Sequence, residues 1–176
     1  MRHRLAFSIS AIGLIHTPFL HAAGTPIQAS GGHNSEGTAE VFPEFAEGLK
    51  DLDGFERVWL FYLFDRAAEP SLVVQPYLDP HPRGIFATRS PARPNRIGMS
   101  AVCLRSIEGN ILRIGGVDML DGTPLLDIKP YVPAFDHFAV TRIGWYEGTS
   151  PAGVVADDRF ENKTEGGENT DGHIAR

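Results

Sequence analysis

Cys103 is the only cysteine in 176 residues. A single thiol forms no internal disulfide and no multi-cysteine zinc site, so the chain is not a disulfide scaffold. Lysine is also scarce: of 16 basic residues, 13 are arginine. No apolar run approaches the roughly 18 residues that a membrane-spanning helix needs. The glycine fingerprint of dinucleotide-binding folds, the phosphate-loop motif, the H-E-x-x-H zinc pair and the G-x-S-x-G nucleophile elbow are all missing. The seven histidines are scattered without metal-ligand spacing, so no metal site is expected.

What is present suits one soluble domain. Hydrophobic residues are 42% and charged residues 22%, both ordinary for a globular chain of this length. Gly 19 and Pro 13 are many for a helical bundle and fit numerous turns between short strands. The net charge of −6 is unevenly placed. Residues 157–176 hold six acids and three bases, whereas 80–100 hold four arginines (Arg83, Arg89, Arg93, Arg96) and no acid. A mildly acidic chain therefore carries one strongly basic loop. Arginine suits bidentate recognition of carboxylate or phosphate.

The first residues, MRHR followed by LAFSISAIGLI, have the charge and apolar pattern of a secretory leader. The alternation of Phe7, Ile9 and Ala11 with Ser8 and Ser10 argues instead for a strand. Other runs with strand composition are ERVWLFYLF, SLVVQPY, RGIFATR, SAVCLRSI, ILRIGGVDML, PLLDIKPY and FAVTRIGWYE. Glu108-Gly109-Asn110 and Asp121-Gly122-Thr123-Pro124 read as tight turns. One short helix is expected over 44–52. The fold class is therefore mainly β: a single-domain β-barrel with few short helices over residues 5–150. An acidic, disordered tail is expected over 151–176.

Three loops stand out. In RGIFATRSPARPNRIGM (83–99), Pro91 and Pro94 stiffen a turn that presents arginine heads, a plausible cradle for an anion. Its alternative is a solvated turn paired with surface acids. VDMLDGTPLLDIKPY (117–131) contains a glycine turn whose amides can meet a ligand, although its pattern alone favours an ordinary hairpin. Gln28, in AGTPIQA, offers both amide donors and an acceptor.

Taken in order, I-G-L-I-H-T-P-F (12–19), P-I-Q (26–28), D-G-F-E-R-V-W-L-F-Y (53–62), F-A-T-R-S-P-A-R-P-N-R-I-G-M-S (86–100) and G-G-V-D-M-L-D-G-T-P-L-L-D-I-K-P-Y-V-P (115–133) resemble the TsaA-like, or TrmO, family. That family comprises S-adenosylmethionine-dependent tRNA methyltransferases. The resemblance spans about residues 7–136 and implies a barrel that binds S-adenosyl-L-methionine without a Rossmann glycine loop. It also implies a homodimer, a cytoplasmic location without a membrane, and a tRNA substrate: methylation of a threonylcarbamoyl-adenosine beside the anticodon.

Position by position, it implies cofactor contacts at Pro26, Ile27, Gln28, Asp65, Arg66, Arg89, Met99, Leu120, Asp121, Gly122 and Thr123. It names no catalytic base; Lys129 and Tyr131 are candidates for facing the pocket. Asp65 stands where the family often has histidine, and Arg96 where many members have proline. Arg93 and Arg96 are expected further out on the loop, facing tRNA phosphates. Two further readings stay open: a non-catalytic barrel that senses S-adenosylmethionine, and a methyltransferase of small molecules.

Overall fold

The computed structural model describes residues 5–29, 35–150 and 152–162. Among the described residues, eight strands occur in chain order: β1 (Gly13–His16), β2 (Glu36–Val41), β3 (Arg57–Leu63), β4 (Val73–Val74), β5 (Arg83–Gly84), β6 (Ile97–Glu108), β7 (Ile111–Gly115) and β8 (Thr123–Pro130). Six of them close a barrel in the order β1-β2-β7-β6-β3-β8, every neighbour antiparallel. β4 and β5 form a separate two-stranded ribbon. Helix is confined to a four-residue α1 (Pro133–Asp136) and short 3-10 turns. Closure removes the unpaired edges that an open sheet of this size would expose.

Alternation builds the interior. On β3, Val58, Leu60 and Tyr62 point inward and are almost completely buried, while Arg57, Trp59 and Phe61 face outward. Ile15, Ala39, Val41, Val102, Leu112, Ile114 and Leu125 complete the core from the other strands. One crowded pair shapes the end of the barrel. Gly98 lies opposite Tyr62, and a Cβ at Gly98 would sit 2.2 Å from a Tyr62 ring carbon. Glycine is thus required for the tyrosine ring to lie flat across β6. Gly98→Ala is expected to push the ring aside and cost about 1–3 kcal/mol of unfolding free energy by overpacking. Urea titration checks this, and an unchanged midpoint would show that the ring has room.

Several expectations are corrected here. The run at 8–15 contributes strand only from Gly13, and residues 5–10 are exposed. Its alternation is real but reaches no partner strand. The run at 138–147 forms no strand; it holds a 3-10 turn at Gly144–Tyr146. The helix expected over 44–52 is two 3-10 turns, Pro43–Leu49 and Leu52–Gly54. β2, with the unpromising sequence EGTAEV, escaped the sequence pattern. Ala39 is fully buried, and the pairing with β1 and β7 supplies the order.

Residues 152–162, expected as part of the tail, pack on the domain. Val155 bridges to Pro26, Glu161 bridges to Ala67, and Phe160 is buried against Val74, Ile85 and Ala92. One aromatic anchor and two backbone bridges outweigh the polar composition. Residues 163–176 lie outside the described residues. Among the described residues, no helix is long and apolar enough to cross a membrane.

Candidate functional site

The loops gather at the end of the barrel where β3 finishes and β6 and β8 begin. There they enclose a cavity of about 640 Å³, within the range of small-molecule sites. Its walls are aromatic. Tyr62 meets Phe64 edge to face at 5.3 Å, Tyr77 meets Phe160 likewise at 5.4 Å, and Trp145 stacks on Tyr146 at 3.8 Å. None of these aromatics was singled out as a site residue, because they come from four separate stretches of chain. Asp79 helps to set this wall. The His81 backbone N–H and the Arg83 guanidinium hold its carboxyl down at about 2, and Arg83 in turn lies 5.8 Å from the Trp145 ring.

Nine of the eleven positions picked out by sequence line this cavity: Pro26, Ile27, Gln28, Asp65, Arg66, Arg89, Met99, Leu120 and Thr123. Asp121 and Gly122 do not. Gly122 makes the expected turn (φ +74°). The Asp121 carboxylate faces away, accepting from the Thr17 backbone N–H at 3.1 Å and lying 3.2 Å from His16 Nδ1. It joins β1 to β8, and only its carbonyl serves the cavity wall, accepting from Arg66 Nη2 at 2.5 Å. The Arg89 guanidinium donates to Gln28 Oε1 at 2.7 Å, so two loops 61 residues apart meet at one point.

The basic loop is held by one of its own arginines. Arg93 Nη1 donates to the carbonyls of Thr88 (2.9 Å), Ser90 (3.3 Å) and Ile85 (3.4 Å). Ala92 is buried, and its carbonyl accepts from the Ser71 N–H. Arg93 is therefore a clamp on its own loop, not an outward phosphate contact. The Ile85 carbonyl also accepts from the Thr88 N–H and hydroxyl, whereas those of Thr88 and Ser90 find in Arg93 their one donor among the described residues. Arg96, in the left-handed region at φ +50°, pairs with exposed Glu69 at 3.3 Å.

The donor set suits S-adenosylmethionine. Two buried polar atoms of the cavity wall, Arg66 Nε and Ser90 Oγ, have no hydrogen-bond partner among the described residues. Buried polar groups are nearly always satisfied; Arg66 Nε lies 3.7 Å from the Asp65 carboxylate, and Ser90 Oγ is the clearer opening for a ligand atom. An arginine and a hydroxyl fit a carboxylate or ribose hydroxyls. The Gln28 amide fits an adenine edge, and aromatic rings fit a sulfonium.

Asp118 is the group that sequence reasoning missed. It lies between β7 and the glycine turn, in a block quoted for its resemblance but never assigned a role. Its Oδ1 accepts from Ser100 Oγ at 2.6 Å, and Ser100 Oγ lies 3.0 Å from the Tyr62 hydroxyl. Burial raises the Asp118 carboxyl to about 6, although Ser100, the backbone N–H groups of Ala29 and Asp118, and nearby Arg89 all favour the charged form. Burial, then the Asp118 charge, push the Tyr62 hydroxyl up as well.

A smaller cavity, about 360 Å³, opens beyond Asp118 on the outer face of β3 and β6. It shares Gln28, Arg89, Met99 and Asp118 with the larger one. Tyr131 lines it and not the larger cavity. Lys129 lines neither cavity and pairs with Asp127 at 2.9 Å.

Comparison with known proteins places this geometry. The sequence model described as the tRNA-methyltransferase O N-terminal domain matches residues 14–137. A probable S-adenosyl-L-methionine-binding protein of Pyrococcus abyssi is 58% identical over 136 residues, which are 77% of this chain and 74% of that protein. The tRNA (adenine(37)-N6)-methyltransferase of Escherichia coli is 34% identical over 161 residues, 86% of this chain and 68% of the relative. The crystal structure of TrmO from Pseudomonas aeruginosa superposes with a TM-score of 0.71 at 40% identity, covering 84% of this chain and 66% of the other.

Proposed function

The chain belongs to the tRNA-methyltransferase O N-terminal domain family, and from that premise we propose that it methylates the exocyclic nitrogen of a threonylcarbamoyl-adenosine beside the tRNA anticodon. S-adenosylmethionine is the cofactor; relatives are named as S-adenosyl-L-methionine-binding proteins or as S-adenosylmethionine-dependent methyltransferases. The observation that carries the reading is an aromatic cavity lined by most of the expected contact residues, with Ser90 Oγ buried in its wall and without a hydrogen-bond partner among the described residues.

Bound S-adenosylmethionine supplies a methyl group on a sulfonium, whose carbon–sulfur bond breaks with the electron pair returning to sulfur. The chain's own residues orient and enclose. Arg89 and Arg66 would hold the carboxylate and hydroxyl groups of the cofactor, Gln28 with Pro26 and Ile27 would read the adenine edge, and Thr123 and Leu120 line the same cavity. Asp65 and Met99 border the mouth. Tyr62, Phe64 and Tyr146 exclude water from the reacting centre.

We place the protein in the cytoplasm, where tRNA is modified, and as a homodimer. A row of exposed apolar side chains after β8 supports self-association: Phe135, Phe138, Val140 and Ile143 are each more than half exposed.

Calorimetry with S-adenosylmethionine and its demethylated product is expected to show saturable binding of both. Methyl transfer to bulk tRNA from a strain lacking the enzyme is expected to follow. Binding without transfer would favour a non-catalytic sensor, and absence of binding would end the reading.

A further inference from the structure

Two adjoining cavities with a shared wall are more than one ligand needs. We infer that the smaller cavity is the acceptor pocket, holding a purine base extruded from a single-stranded loop, with Asp118 at the junction taking the proton that the acceptor nitrogen sheds. This rests on the methyltransferase reading and adds to it which surface receives the base and which group accepts the proton.

The walls support it. Trp59 and Tyr131 stand 5.6 Å apart at a tilt of 50°, an arrangement in which a planar base can lie against either ring. Enzymes that act on a base take it out of its stack and read it between such rings. Arg57 lines the same cavity and, among the described residues, makes one long hydrogen bond, 3.4 Å to the Ala101 carbonyl. Its remaining donors are available to a carboxylate carried on the base, and a threonylcarbamoyl group has one. The cofactor cavity lies on the other side of Gln28, Arg89, Met99 and Asp118, so donor and acceptor meet only at that wall.

The proton balance falls on Asp118. The acceptor nitrogen forms its new bond to the methyl carbon with its lone pair. The pair of its N–H bond then returns to nitrogen, and the proton passes to the Asp118 carboxylate, which becomes a neutral carboxylic acid. Ser100 donates to Oδ1 and the backbone N–H groups of Ala29 and Asp118 also donate to the carboxyl; two carboxylate oxygens offer about four lone-pair sites, so one remains for the proton. The charged and titratable groups facing Asp118 are Tyr62 from β3 and Arg89 from the basic loop, beside the Ser100 hydroxyl from β6. A carboxyl that titrates near 6 is largely ionised at neutral pH yet basic enough to accept a proton.

The test measures binding before activity. The free nucleoside threonylcarbamoyladenosine is titrated calorimetrically into the full chain already saturated with the demethylated cofactor. It is expected to bind, because the two cavities fill together. Trp59→Leu and, separately, Arg57→Gln are expected to weaken nucleoside binding about tenfold or more. S-adenosylmethionine affinity should stay within about twofold in both, which also shows that each variant is folded.

Asp118→Asn should keep both affinities within about threefold while methyl transfer to tRNA falls about 100-fold or more. In the parent the transfer rate should fall as pH drops through about 6, as the carboxyl becomes protonated; the residual rate of Asp118→Asn should not follow that titration. Competition between nucleoside and demethylated cofactor, no nucleoside binding, or unaltered binding in both Trp59→Leu and Arg57→Gln overturns the pocket. Full activity in Asp118→Asn overturns its role. If the parent binds no S-adenosylmethionine, it is the methyltransferase reading that has failed instead.

Discussion

Arg93→Ala is expected to lower the stability of the protein by about 2–3 kcal/mol, the scale of a charged hydrogen bond lost with the Thr88 and Ser90 carbonyls left without a donor. Its guanidinium ties Ile85, Thr88 and Ser90 together from inside the loop. Loss of the clamp also frees Arg89 and Ser90, so S-adenosylmethionine affinity should fall at least about tenfold. Arg89→Ala provides the contrast. Arg89 is exposed and bonded only to Gln28 among the described residues. Its removal should leave the urea midpoint nearly unchanged but weaken the cofactor by roughly 1.5–3 kcal/mol. Urea titration and calorimetry on the two variants separate clamp from contact. Equal stability losses in both, or an Arg93→Ala protein of parental stability, would refute the assignment.

Leu60→Ala should be the most damaging conservative truncation. Leu60 is 0% exposed at the middle of β3, which pairs with β6 on one side and β8 on the other. Neighbouring strands are tied by backbone hydrogen bonds, so the wall cannot collapse into the space left behind. The expected cost is about 3–4 kcal/mol, transfer and cavity terms together. The midpoint in urea should fall while the slope stays the same, since the unfolded state exposes almost the same surface. A loss below about 1.5 kcal/mol would mean that the interior relaxes freely, contrary to the dense packing of protein cores. Leu60→Met, close in volume, should cost less than about 1.5 kcal/mol.

The legible parts of the fold were those where one stretch of chain carries its own signal. β3 and β8 appear almost whole in the runs ERVWLFYLF and PLLDIKPY. The hairpin between β6 and β7 follows from Gly109, at φ +64°. β2 was not legible because its apolar content is one alanine and one valine, and its place depends on β1 and β7. The run at 138–147 misled for the converse reason: it has β composition and, in the barrel, no edge left to pair with.

The site divides in the same way. The order of its motifs, the arginine-rich proline loop and the Gly122 turn are properties of sequence, because each depends on residue types at short spacing; the cofactor class came from the family resemblance those motifs carry. Which arginine clamps and which one reaches the ligand was decided by the tertiary structure, since only folding turns three loop carbonyls toward Arg93. The same holds for Asp118. Nothing in V-D-M-L-D-G-T distinguishes it from Asp121 three residues on. The fold turns Asp121 toward the Thr17 N–H and sets Asp118 against Ser100, beside Arg89, at the wall of two cavities. Burial and neighbours drawn from distant parts of the chain give a carboxylate its basicity, and neither exists until the barrel has closed.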